Sequence, residues 1–92
     1  MIRSFADRDT EELFTDEKNR RFNAIARVAL RKLIQLNQAR LLTDMAAPPG
    51  NRLEALSGSL AGFHSIRVND QWRIIFRWES DGCSEVAIVD YH

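Results

Sequence analysis

Cysteine is nearly absent from this sequence: Cys83 stands alone, which excludes a disulfide framework and a CxxC metal cluster. No run approaches the ~20 apolar residues of a membrane span, and the first residues lack the apolar stretch of a signal peptide. A soluble protein of the reducing cytoplasm, with no membrane partner, is therefore expected. Net charge is missing too, because 13 Lys and Arg balance 13 Asp and Glu. Taken alone, that balance argues against a nucleic-acid partner. With only 2 prolines and 4 glycines there are no linkers or low-complexity segments, so the 92 residues should form one small domain around a single core.

The charge that is present is segregated. Asp7, Asp9, Glu11, Glu12, Asp16 and Glu17 make an acidic stretch, whereas Lys18 to Thr43 holds no acid and 7 bases: Lys18, Arg20, Arg21, Arg27, Arg31, Lys32 and Arg40. Part of the surface is therefore cationic despite the neutral total.

Patterning divides the chain into helices followed by strands. Met1 to Phe5 reads as a short strand, and Asp7 or Thr10 caps a short helix containing Leu13 and Phe14. Phe22, Ile25, Ala26, Ala29, Leu33 and Leu36 recur at helical spacing, which predicts an amphipathic helix from about Glu17 to about Gln38 with Arg20, Arg27 and Arg31 off its apolar stripe. Leu41 to Met45 adds a turn or two. Pro48, Pro49 and Gly50 then end helical structure. Arg52 to Leu56, His64 to Val68, Gln71 to Glu79 and Cys83 to Tyr91 read as strands, with turn signals at Asn69-Asp70 and Asp81-Gly82. The expected fold is α+β, with N-terminal helices packed on a small, mainly antiparallel sheet.

The last strand carries the most distinctive chemistry. Asp90, Tyr91 and His92 place an acid, a phenol and an imidazole at its end, a workable set for proton transfer. If Asp81-Gly82 is a two-residue turn, Arg73 lies opposite Asp90, Trp72 opposite Tyr91 and Gln71 opposite His92. With Asn69-Asp70 as a second such turn, Ile66 faces Arg73 and His64 shares its sheet face. The expected cluster is His64, Gln71, Arg73, Asp90 and His92, with Tyr91 beside it. One extra residue in a turn, or a β-bulge, exchanges the faces.

The run His64-Ser65-Ile66-Arg67-Val68-Asn69-Asp70-Gln71-Trp72-Arg73-Ile74-Ile75-Phe76, closed by Asp90-Tyr91-His92 and opened by Met1-Ile2-Arg3-Ser4-Phe5, resembles the HigB branch of the RelE-like toxins. That resemblance spans nearly the whole chain. It implies the toxin of a type II toxin–antitoxin pair, cleaving mRNA in the ribosomal A site and held inactive by a HigA-like helix-turn-helix antitoxin. Contact with operator DNA would be indirect, through the antitoxin. The resemblance makes Arg73 the phosphate-binding arginine and Asp90, Tyr91 and His92 the C-terminal functional group. The chain departs from the pattern at Glu54 and Ser57, where many members carry a histidine and a lysine.

Cleaving RNA through its own 2′-OH requires a proton acceptor, a cation on the pentacoordinate phosphate and a proton donor for the 5′ oxygen. Neither a metal nor another cofactor is expected. His92 with Glu54 or Tyr91 would share the proton transfers, Arg73 and Arg67 would hold the phosphate, and Asp90 would orient Arg73 or His92. Gln71 and His64 join the substrate site, while Arg20, Arg27 and Arg31 would bind ribosomal RNA phosphates. The alternative is a non-catalytic RNA- or protein-binding module held by the same kind of antitoxin.

Overall fold

The computed structural model describes residues 1–91. Helix α1 (Arg8–Asp16) and helix α2 (Ala26–Gln38) precede a sheet of β1 (Glu54–Ala55), β2 (Phe63–Arg67), β3 (Trp72–Glu79) and β4 (Gly82–Asp90), with short 3₁₀ turns between. The four strands lie in the order β1-β2-β3-β4, each antiparallel to its neighbour. No helix among the described residues is long and apolar enough to cross a membrane.

Asp7 starts α1. Its Oδ2 accepts the Thr10 backbone N–H at 3.0 Å and its Oδ1 the Thr10 hydroxyl at 2.7 Å, which satisfies donors that a helix start leaves open. The same hydroxyl oxygen, fully buried, accepts the Ile88 N–H of β4 at 3.0 Å. One side chain thus joins the helix start to the sheet. The helix ends at Glu17 in left-handed backbone, φ 63°.

α2 begins at Ala26, about nine residues later than its apolar spacing predicts. Asn19 supplies the reason. Its buried side chain accepts the Arg21 N–H at 2.9 Å and donates to Asp9 and Glu12, each at 3.1 Å, so the backbone is drawn toward α1 instead of into a helix. Phe22 and Ile25 still reach the core from turns. Phe22 meets Trp72 edge-on at 5.5 Å, and Ala29, Leu33 and Leu36 of α2 share one buried cluster with Ile66, Ile74 and Phe76 of the sheet.

The expected N-terminal strand is reduced to two parallel bridges, Ile2 with Cys83 and Phe5 with Val86. They cover the edge of β4, and Cys83 N–H donates to the Met1 carbonyl at 3.0 Å. Gly82 permits this approach: with φ 144°, it has Met1 O only 2.3 Å from where a Cβ would stand.

Both hairpins depart from the predicted register. Between β3 and β4 the two connecting residues are Ser80-Asp81, so Glu79 pairs with Gly82. A bulge between Ile75 and Arg77 then shifts the ladder, with Glu85 at φ 51°, and Arg73 pairs with Val89 and Trp72 with Asp90. Between β2 and β3 the connection is Val68 to Gln71, held by Asn69 Oδ1, which accepts the N–H groups of Gln71 and Trp72 at 2.9 and 2.8 Å. Arg67 therefore pairs with Arg73, and Ile66 with Ile74. The predicted pairs Arg73–Asp90, Trp72–Tyr91 and Ile66–Arg73 do not form.

Candidate active site

Strand alternation assigns the two sheet faces. Ile66, Ile74, Phe76 and Ile88 are buried against the helices. Arg67, Arg73 and Val89 form one row on the other face, and Glu54, Ser65, Ile75 and Ala87 form the adjoining row.

Arg73 is the centre of that outer face. Its side chain is only 13% exposed, with Nη1 3.4 Å from Glu54 Oε1. The guanidinium lies over the Tyr91 ring at 4.6 Å, and Tyr91 is held by its backbone N–H, which donates to the Gln71 carbonyl at 2.6 Å. A carboxylate on one side and an aromatic face on the other fix the fork. Arg67, directly across the strand pair, is ion-paired with Asp70.

Like charges placed opposite one another on neighbouring strands oppose pairing. Here two arginines hold those positions, each with one carboxylate at its flank, and guanidiniums sharing a sheet face are the groups that bind phosphate oxygens. Lys32 adds to this field. Burial pushes its ammonium below the usual lysine range, and repulsion from Arg31 and then Arg67 lowers it further. Its Nζ donates to Asn51 Oδ1. Asn51 is itself fully buried and donates to the carbonyls of Met45 and Ala47 at 3.1 and 3.2 Å, so the segment after the prolines braces α2. Lys32 stood in the acid-free basic run but was not among the expected site residues, because only its spatial nearness to Arg67 sets it apart.

The remaining candidates lie elsewhere. Asp90 does not meet Arg73: by alternation it takes the face of Trp72, and its Oδ2 accepts from Gln71 Nε2 at 3.1 Å. His64 also leaves the expected cluster, since the shifted register places it opposite Phe76 on the helix-side face. Its ring stacks on Phe76 at 6.2 Å, and Nδ1 is buried without a hydrogen-bond partner among the described residues. Arg20 stands in the irregular segment before α2, not on the helix, whereas Arg27 and Arg31 are exposed on α2. His92 lies outside the described residues. Among the described residues no group of 3 or more His, Cys, Asp or Glu is placed to hold a metal ion.

The chain belongs to a class of small toxins: the family model for the RelE-like toxin of the type II toxin–antitoxin system HigB matches residues 3–92. Among curated relatives, Toxin HigB-1 of Vibrio cholerae serotype O1 is 40% identical over 94 residues, spanning 100% of this chain and 98% of the relative. An uncharacterized protein of Haemophilus influenzae is 36% identical over 55 residues, 60% of this chain and 54% of its own. A chain of the YoeB-YefM complex from Staphylococcus aureus superposes with a TM-score of 0.57 at 17% identity, covering 100% of this chain and 98% of that one. At that identity the likeness is one of fold.

Proposed function

We propose that this toxin is a ribosome-dependent endoribonuclease that cuts mRNA in the ribosomal A site, acting in the cytoplasm and restrained by a HigA-like helix-turn-helix antitoxin. The observation that carries the reading is the opposed Arg67–Arg73 pair. Two arginines at directly opposed positions of one sheet face disfavour strand pairing, yet both can reach a phosphate lying over that face as it gains charge.

The substrate ribose supplies the nucleophile. Its 2′ oxygen attacks the adjacent phosphorus, Glu54 takes the proton released, and the bond to the 5′ oxygen breaks to leave a 2′,3′-cyclic phosphate. His92, next to Tyr91 in sequence, returns a proton to the departing oxygen. Arg73 and Arg67 neutralise the pentacoordinate phosphate, with Glu54 and Tyr91 holding Arg73 in place. Gln71 anchors both Tyr91 and Asp90. The ribosome presents a bent codon in the required geometry, an orientation effect worth several kcal/mol, and the exposed bases Arg20, Arg27 and Arg31 meet ribosomal RNA phosphates.

The test is a programmed ribosome carrying mRNA with a single 2′-deoxynucleotide at the cut codon. Cleavage of the all-ribose message and none at the deoxy position supports the mechanism. Equal cleavage of both contradicts it, and cutting of neither leaves the binding-module alternative.

A further inference from the structure

Arg73 is not the only guanidinium laid on an aromatic ring on this face. Further along β3, Arg77 lies over the Phe63 ring at 4.4 Å, on the same side of the sheet by strand alternation. Phe63 and Arg77 are cross-strand partners.

Two contacts fix the Arg77 plane, and a glycine leaves room for it. Nε pairs with Glu85 at 3.0 Å, Phe63 lies beneath, and Nη1 passes 2.8 Å from where a Gly62 Cβ would stand. Two unusual backbone positions serve this one side chain: Gly62 at φ 96° and Glu85, a non-glycine residue in the bulge, at φ 51°. An ion pair this exposed contributes little to stability, whereas left-handed backbone at a residue such as Glu85 is strained and collects at binding sites. With its charge answered by Glu85 and 43% of its side chain still exposed, Arg77 offers a flat face more than a net charge. Flat guanidiniums and aromatic rings are what single-stranded RNA bases stack on.

We propose that the Phe63–Arg77 stack is a second nucleotide subsite, which takes the base of a nucleotide flanking the cleaved bond. This rests on the nuclease reading above and extends it from the phosphate to its neighbour. Arg77 follows Arg73 by a strand distance of roughly 13 Å, so one extended RNA strand crossing the sheet places its scissile phosphate at Arg73 and an adjacent base at Arg77.

The experiment compares cleavage by the full chain on ribosomes programmed with intact mRNA, and with mRNA made abasic on one side or the other of the cut bond. Two variants are used, Phe63→Leu, which keeps an apolar side chain, and Arg77→Lys, which keeps the charge and the Glu85 pairing but not the plane. On intact mRNA each variant should lower kcat/KM by roughly tenfold, the scale of one lost base stack. On one of the two abasic messages, the unaltered chain should fall to the variants' level and the variants should fall no further. Variants matching the unaltered chain on intact mRNA, or losing equally on every message, overturn the subsite. A poorly folding Phe63→Leu leaves Arg77→Lys to decide. Absence of any cleavage by the unaltered chain overturns the parent reading and the subsite with it, a result distinct from normal cleavage indifferent to the flanking base.

Discussion

Glu54 touches Arg73 at 3.4 Å, and the proposed mechanism gives it a second role, taking the proton of the 2′-OH. Glu54→Gln keeps an oxygen for Arg73 but removes the proton acceptor, so single-turnover cleavage on ribosomes should fall roughly 10²- to 10⁴-fold with little change in ribosome affinity. A matching rise in KM with unchanged kcat would make Glu54 a binding group only. Cys83 is the opposite kind of residue. Burial raises its thiol from 9.0 to about 11, so the folded protein resists losing a proton that the unfolded chain gives up at lower pH. Its share of stability is complete below pH 9, declines as pH rises from 9 toward 11, and levels off above. Denaturant titration should show Cys83→Ala lacking that decline. Native Cys83 should also resist alkylation at neutral pH until the chain unfolds.

The elements show which local signals are strong. Asp7→Ala removes the cap of α1 and should lower stability by about 1 kcal/mol. Thr10→Val strips the buried Ile88 N–H of its acceptor and should lower stability by about 1 to 3 kcal/mol; both are read from urea midpoints at unchanged slope. A cap at Asp7 or Thr10 was legible because capping depends on residues three apart, and Asp7 is the one that caps. Strand positions were legible for a similar reason, since alternation at Trp72, Ile74, Phe76 and Trp78 is local. The start of α2 was not, because Asn19 acts through Asp9 and Glu12 of another helix. Nor was the register: Asn69 lengthens one turn, and a bulge at Glu85 undoes the parity of the other hairpin. The longer turn explains why Arg67 replaces Ile66 opposite Arg73 and why His64 is turned inward, and the bulge explains why Asp90 faces Trp72. Arg73, Tyr91 and Glu54 meet all the same, since Tyr91 and Val89 share Arg73's face and β1 brings Glu54 alongside β2.

At the scale of the whole molecule, zero net charge conceals a division of labour. Six of the 13 acids lie between Asp7 and Glu17, while Lys18 to Thr43, which includes α2, carries 7 bases and no acid. The α2 side of the helical layer is thus a basic surface, while the outer sheet face across the core presents Arg67, Arg73 and Arg77, each beside a carboxylate. Reversing Arg27 and Arg31 to glutamate should weaken ribosome association and flatten its salt dependence by about one to two counterions, with thermal stability kept, as sedimentation at several salt concentrations would show. An unchanged salt slope would make that helix face merely solvated.

The most direct test of the central claim is single-turnover cleavage of ribosome-bound mRNA by Arg73→Ala, with folding verified by its thermal midpoint. A folded variant slowed by roughly 10²-fold or more is the result expected of a group that stabilises charge only as the phosphate becomes pentacoordinate. A folded variant cleaving at the unaltered rate would contradict the account.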